Sequence, residues 1–214
     1  MKASTARLAA VVLVGTSLQA AAAQDHPPFE PTRDVTVDYV TDARSRAPNM
    51  PNTMRIYLAA GGKRMRMEAP GMPGYMLMDR AASRVVMVMA EQRMYTEIPL
   101  DPSRTAMLTL NDKMAFTRKG TDTVAGLRCT VWEVRKDAAH GGTACIADDG
   151  VVLRGESSEG GGAPTHVTAT AVSYATLPDS VFQPPADFRK LELPAGMTPG
   201  MMPPGVGRPA VPAR

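Results

Sequence analysis

The sequence predicts a mainly antiparallel β fold with one or two short helices. Apolar and polar residues alternate with a period of two over most of the chain, and turn residues separate the alternating segments. One segment alone has the features of a longer helix. Because successive side chains of a strand point to opposite faces of a sheet, this period is typical of half-buried strands. We expect one β domain over residues 34–193.

The first part of the domain predicts a meander of antiparallel strands. Apolar side chains recur at every second position in several segments, and glycine, proline or short polar pairs stand between them. Such pairs are what tight turns between neighbouring strands require. The predicted strands are residues 35–40, 54–58, 65–68, 75–79, 85–89 and 93–98, and the predicted turns are Gly61-Gly62, Pro73-Gly74 and Glu91-Gln92.

The second part of the domain begins with the predicted helix and returns to strands. Asp101 before Pro102 is a capping residue followed by a proline of the first turn, which indicates a helix over 103–110. Alternation then resumes between residues 113 and 174, with Asp149-Gly150 as a tight turn. A short turn at 179–182 and a last strand at 188–193 complete the predicted elements.

The two cysteines of the chain predict a disulfide. An exported chain reaches an oxidising compartment, where a pair such as Cys129 and Cys145 is joined. Both cysteines fall in predicted strands that are connected by one loop. Closing a loop of this length contributes on the order of 3 kcal/mol in the chain-entropy treatment. We expect the bridge to join two neighbouring strands.

The two ends of the chain are predicted to lie outside the domain. Residues 1–23 combine a basic start, a short apolar run and small residues at Ala21 and Ala23, which indicates a cleaved secretory signal peptide and a periplasmic protein. Residues 24–33 and the Pro-, Gly- and Met-rich residues 194–214 are expected to be flexible or disordered. After signal removal, no stretch is long and apolar enough to be a predicted membrane span.

Charge and titratable residues favour neither nucleic-acid binding nor catalysis. The formal net charge of +3 falls close to neutral once the signal peptide is removed, whereas a nucleic-acid partner requires clustered basic residues. His26, His140 and His166 have no partner at metal-ligand spacing, and no nucleophile turn or phosphate loop is present. We therefore expect no enzyme, no cofactor and no nucleic-acid partner.

Two charged groups have a structural explanation that we favour over a functional one. Asp148-Asp149 is a possible carboxylate pair, but the following Gly150 fits turn chemistry better. Arg64, Arg66 and Arg80 could form a basic patch on the outward face of the first meander, but we favour a solvated strand face as the explanation of the three arginines.

Methionine is unusually frequent, with ten of the sixteen methionines between Met50 and Met94. Three explanations compete: ordinary core filling, an adaptable lining for acyl chains or an apolar partner, and soft sulfur ligands for Cu(I) or a buffer against oxidation. Met197, Met201 and Met202 in the tail resemble another such cluster. The residues predicted to line a ligand site are Met54, Ile56, Met65, Met67, Met76, Met78, Met87 and Met89.

One run of residues resembles a known family. Residues 120–132 read Gly-Thr-Asp-Thr-Val-Ala-Gly-Leu-Arg-Cys-Thr-Val-Trp. They are similar to the Gly-Thr-x-Thr-Ile-Ala-Gly-Tyr-x-Cys run that precedes a strand in an uncharacterised family of exported bacterial domains. Residues 63–68 with 76–80, Cys145 with 149–154, and 181–185 extend the resemblance over about residues 35–193.

Such domains look like relatives of the outer-membrane lipoprotein carriers of the LolA/LolB-like fold. The resemblance implies a single strongly curved antiparallel sheet, an unclosed barrel, with a hydrophobic concave face that accepts a lipid or a lipidated protein. The leading hypothesis is a periplasmic, non-enzymatic binding or carrier-like protein. The alternatives are an envelope protein that handles copper or buffers oxidation through methionine, and an envelope interaction domain whose sheet edge pairs with another protein.

Overall fold

One large open sheet makes up the fold. A computed structural model of the 214-residue chain describes residues 26–42, 52–100, 110–158 and 165–192. Within these residues twelve strands form one sheet that is not closed into a barrel, which confirms the predicted fold class. The strands are β1 (Val35–Thr41), β2 (Thr53–Leu58), β3 (Arg64–Glu68), β4 (Gly74–Asp79), β5 (Arg84–Met89), β6 (Met94–Pro99), β7 (Ala115–Val124), β8 (Leu127–Arg135), β9 (Gly141–Ile146), β10 (Val152–Ser158), β11 (Thr165–Ser173) and β12 (Arg189–Lys190).

The chain builds the sheet outward from β1 in both directions. The strand order is β12-β6-β5-β4-β3-β2-β1-β11-β10-β9-β8-β7. Strands β1 to β6 form one antiparallel meander and β7 to β11 form another, and the two meanders join where β1 pairs with β11. We call β2–β6 the N-terminal half of the sheet and β7–β11 the C-terminal half.

The C-terminal half of the sheet is strongly curved. The Tyr39 hydroxyl on β1 donates a hydrogen bond of 2.6 Å to the carbonyl oxygen of Val152 on β10, past β11. Arg154 on β10 forms an ion pair of 2.6 Å with Asp122 on β7, past β9 and β8. In a flat sheet β7 and β10 would lie about 14 Å apart, since adjacent strands are about 4.8 Å apart. These contacts therefore require the sheet to curl.

The main hydrophobic core lies on the inner face of the C-terminal half. Val35, Val37 and Tyr39 alternate on β1, and we call the side to which they point the inner face. The disulfide Cys129–Cys145 joins β8 to β9 within this core, as predicted. The other buried members of the core are Val124, Ala147, Val151, Leu153 and Ala169.

Segments near the two ends of the described chain cover the outer face. On the C-terminal half, the ring centroid of Phe29 lies 5.6 Å from that of Phe116, which meets Trp132 edge-on at 6.3 Å. On the N-terminal half, Phe188 packs against a buried cluster around Leu77. The chain itself therefore supplies apolar cover on the outer side of both halves.

The last strand differs from the prediction. Residues 188–193 were expected to form a strand, but β12 has two residues and is parallel to β6, whereas the other strand pairs are antiparallel. The segment lies beside β6 and runs in the same direction as β6. The amides of Arg189 and Leu191 donate hydrogen bonds to the carbonyls of Arg93 and Tyr95. Short local pairing of this kind leaves no signal in the period of the sequence.

The helices of the described residues are two short 3-10 turns. One spans Ala60–Gly62, where a tight glycine turn was predicted, and the other is Asp179–Phe182, where a short turn was predicted. The helix predicted over 103–110 lies outside the described residues except for Leu110. The predicted signal peptide over 1–23 and the predicted tail over 194–214 also lie outside them.

Strand β7 forms the edge of the sheet opposite β12. It has ten residues, and within the described part of the chain β8 is its one hydrogen-bonded neighbour. A bulge between Arg118 and Gly120 shifts the register of this pairing. The Lys119 side chain at the bulge forms an ion pair of 2.6 Å with Glu133.

Candidate functional site

The inner face of the N-terminal half is apolar and rich in methionine. Val35 and Val37 on β1 lie opposite Leu58 and Ile56 on β2, and the pairing continues strand by strand to β6. Side chains that lie opposite one another in adjacent strands share a face. We call this surface the methionine face; its side chains are Met54, Ile56, Leu58, Met65, Met67, Met76, Met78, Val85, Met87, Met89, Met94, Thr96 and Ile98.

One row of side chains crosses all five strands of the N-terminal half. Ile56, Met67, Met76, Met87 and Thr96 lie opposite one another in turn, one on each of β2 to β6. The Cβ atoms of directly opposite residues are about 4.5–5.5 Å apart in an antiparallel pair. The three central methionines are therefore direct neighbours across β3, β4 and β5.

Charged side chains of the N-terminal half lie on the outer face. They are Arg55, Arg64, Arg66, Glu68, Asp79, Arg84 and Glu97, which alternate with the residues of the methionine face. Hydrogen bonds from Lys190 and Arg84 lower the pKa of Glu97, so this carboxylate stays ionised and holds β12 beside β6. Strands β2–β6 thus place no formal charge on the methionine face.

The methionine face is only partly covered. Met78, Met94 and Thr96 are buried, but the other side chains of the face are half-buried. On the inner face of the C-terminal half, by contrast, Leu153 is fully buried beneath the curled strands. One continuous face of the sheet is therefore a filled core at one end and a partly accessible apolar surface at the other.

Thr96 is the one polar side chain that β2–β6 place on the methionine face. It is 1% exposed, and its hydroxyl oxygen has no hydrogen-bond partner among the described residues. A buried hydroxyl without a partner costs about 1–3 kcal/mol. Unsatisfied groups of this kind are unusual in folded proteins and mark positions where a ligand or a bound water can supply the missing partner.

Replacing this hydroxyl tests whether it is unsatisfied. We expect Thr96→Val to raise the free energy of unfolding by about 1 kcal/mol, because valine keeps the shape of threonine and removes the buried hydroxyl. Urea denaturation of the variant and the unaltered protein measures the effect, provided that the free energy of unfolding falls with urea concentration at the same slope in both. A lower free energy of unfolding would contradict the assignment, since it would mean that the hydroxyl has a partner in the folded protein.

The eight residues predicted to line a ligand site, from Met54 to Met89, lie together on the methionine face. That they contact a ligand stays a prediction. The sequence interpretation left out five further residues of this face, among them Met94, Thr96 and Ile98. These three occur at every second position of β6, so the period of two, followed one strand further, would have found them.

The arginines considered as a basic patch fasten the terminal segments to the sheet. Arg64 forms an ion pair of 2.9 Å with Asp179, and Arg80 forms one with Glu30. Arg66 donates a hydrogen bond of 3.3 Å to the carbonyl of Val181. Their positive charges are therefore engaged by the chain itself.

The other titratable groups singled out in the sequence lie apart from the methionine face. Asp149 and Gly150 form the turn between β9 and β10, and Gly150 has a positive φ of 90°. His140 contacts Asp137 at 2.8 Å beside an open cavity of about 380 Å³ at the end of β8 and β9. In the described parts of the chain, no three His, Cys, Asp or Glu side chains are grouped so as to hold a metal ion. No helix among these residues has the length and apolar character of a membrane span.

The central part of the chain matches a known domain family. The family described as "Domain of unknown function (DUF4412)" matches residues 42–151, which is just over half of the chain. No curated protein matches the sequence. The family match confirms the resemblance to an uncharacterised domain family that the sequence indicated.

The solved structures that are similar to this chain include the following three. MucB is 17% identical with a TM-score of 0.49, and the match covers 75% of this chain but only 60% of MucB. An uncharacterised conserved protein from Thermus thermophilus is 10% identical with a TM-score of 0.49, covering 75% of this chain and 90% of that one. A LolA superfamily protein from Nitrosomonas europaea is 10% identical with a TM-score of 0.40, covering 72% and 92%.

Proposed function

We propose that this chain, a member of the DUF4412 family, is a periplasmic, non-enzymatic binding or carrier-like protein, as its resemblance to the lipoprotein carriers implies. Its ligand is a lipid or a lipidated protein, and the ligand lies on the methionine face. The observation that carries the proposal is the distribution of charge in β2–β6, where every charged side chain lies on the outer face and the inner face is apolar apart from Thr96.

The chemistry of the methionine face supports an apolar ligand of variable shape. Methionine is unbranched and has three rotatable bonds, so a surface built from it adapts to different apolar partners. Met67, Met76 and Met87 are half-buried, which leaves part of each side chain available for contact. Burying apolar area contributes about 25 cal/mol for each Å² removed from water, so an acyl chain gains free energy wherever it covers this surface.

The disulfide supports a periplasmic location. Disulfides persist in oxidising compartments such as the periplasm and are rare in the cytosol. Cys129 and Cys145 are bonded in the core, and no free cysteine is present. The predicted signal peptide over residues 1–23 would deliver the chain to this compartment.

Titration with the fluorescent apolar probe N-phenylnaphthylamine tests the proposal. We expect saturable binding by the protein, and we expect the double variant Met67→Gln/Met76→Gln to bind more than about tenfold more weakly, because its carboxamides must lose water when an apolar probe covers them. Met72→Gln is the matched control: Met72 is 55% exposed and lies between β3 and β4, outside the face.

Either of two results would refute this assignment. The first is the absence of saturable probe binding by the unaltered protein. The second is equal affinity of the unaltered protein and the double variant, provided that both show the same cooperative thermal unfolding. A loss in the Met72→Gln control as large as that in the double variant would place the probe on the exposed loop instead.

A further inference from the structure

The register of β3, β4 and β5 places three methionines opposite one another on one face. Met67 lies directly opposite Met76, and Met76 lies directly opposite Met87. Two strand spacings, or about 10 Å, separate the outer two backbones. Each sulfur is two bonds beyond Cβ on a side chain with three rotatable bonds, so the outer two side chains can lean toward the central one. Two methionines that are two positions apart on one strand, such as Met65 and Met67, have no third methionine between them.

Three thioethers on a face to which β2–β6 contribute no charged side chain favour a particular kind of ion; the Arg189 guanidinium of β12 reaches this face at Met94, 3.3 Å from its sulfur. Thioether sulfur is a soft ligand that prefers Cu(I), whereas carboxylates and imidazoles suit harder ions such as Zn²⁺. The methionine face carries no formal charge in β2–β6. Burying an uncompensated charge is costly, so a neutral site of this kind favours a monovalent ion over a divalent one.

The three side chains are also accessible. Met67, Met76 and Met87 are half-buried, while Met78 and Met94 on the same face are buried. An ion from solution can therefore reach the central row without unfolding of the sheet. Thioethers carry no proton over the ordinary pH range, so binding to them releases none, in contrast to binding by thiols or imidazoles.

From this arrangement we propose that Met67, Met76 and Met87 form a binding site for one soft monovalent metal ion, Cu(I), with Ag(I) as its redox-inert substitute. The site shares Met67 and Met76 with the surface proposed for the apolar ligand, but it depends on the sulfur atoms and not on the apolar character of the face. It needs no redox step, since the ion enters and leaves as Cu(I).

The experiment compares two triple variants that each lose three sulfurs. Met67→Leu/Met76→Leu/Met87→Leu removes the site, and Met197→Leu/Met201→Leu/Met202→Leu removes the methionine cluster of the tail. Leucine for methionine conserves volume and usually costs less than about 1.5 kcal/mol at each position. Competition with a chromophoric Cu(I) chelator gives the affinity, and native mass spectrometry with Ag(I) gives the stoichiometry.

We expect one ion per chain, an affinity that is unchanged between pH 5.5 and 8 and unaffected by excess Zn²⁺, and sulfur neighbours in the X-ray absorption spectrum of the copper. The sheet variant should bind more than about tenfold more weakly, and the tail variant should bind normally. Equal affinity of the sheet variant, or loss in the tail variant alone, would overturn the site.

Two separate measurements keep this site apart from the apolar-ligand proposal. Cu(I) competition with the sheet variant tests the metal site alone, and titration of the unaltered protein with N-phenylnaphthylamine tests the apolar-ligand proposal alone. Retained Cu(I) binding in a folded leucine variant refutes the metal site whatever the probe does. Absence of saturable probe binding by the unaltered protein refutes the apolar-ligand proposal whatever Cu(I) does.

Discussion

Reduction of the Cys129–Cys145 bridge lowers the free energy of unfolding by about 3 kcal/mol, the value expected when a loop of this length is opened. The bonded cysteines are 16 positions apart, and both lie in the core of the C-terminal half. The bridge restricts the unfolded chain, so its loss stabilises the unfolded state relative to the folded one. Urea denaturation of the oxidised and reduced protein measures the difference.

The reduced protein is the control that isolates the covalent bond, because it keeps both sulfur atoms in the core. Cys129→Ala/Cys145→Ala should lose at least as much stability, since it also removes packing atoms from buried positions. Hydrogen exchange should accelerate in β8 and β9, the two strands that the bridge joins. Equal free energies for the oxidised and reduced forms would contradict the expected role of the bridge.

Leu153→Ala lowers the free energy of unfolding by about 2–5 kcal/mol. Leu153 is fully buried among the side chains of the C-terminal core, so its truncation removes apolar contacts and leaves a cavity. Met67→Ala on the same inner face should cost only about 1 kcal/mol, because Met67 is half-buried in the N-terminal half. Denaturation of both variants under identical conditions measures the two losses.

The comparison of these two substitutions tests whether the inner face is packed differently in the two halves of the sheet. A smaller loss at Met67 than at Leu153 supports a filled core in one half and an accessible surface in the other. If Met67→Ala lowers the free energy of unfolding as much as Leu153→Ala does, the methionine face is packed like the core. Neither an apolar ligand nor a metal ion could then bind to it as proposed.

The sequence predicted most of the strands, and it predicted which side chains of one strand lie on the same face. Both depend on the period of two, which is a local property: Met65 and Met67 share a face because they are two apart on β3. The disulfide also followed from the sequence, since two cysteines in an exported chain leave one pairing. The sequence therefore indicated the methionines that form the candidate site.

The relation between strands could not be predicted in this way. Nothing local indicates that β1 pairs with β11, which lies far away in the chain, or that β12 pairs with β6. Val37 and Met87 follow the same alternation, yet Val37 is fully buried and Met87 is half-buried. The difference arises from the curl of β7–β11, and this curl depends on contacts such as that of Arg154 with Asp122.

The bulge in β7 bears on how the protein behaves at high concentration. An exposed strand edge presents unpaired amides and carbonyls to which another chain can add, and such addition is a common start of aggregation. The bulge between Arg118 and Gly120 divides β7 into two short runs, with the charged Lys119 between them. A second copy of the chain meets an interrupted, charged edge there. At the opposite end, the short strand β12 covers the beginning of β6, next to Met94 and Tyr95. The bulge and this short strand both make growth of the sheet by strand addition less favourable.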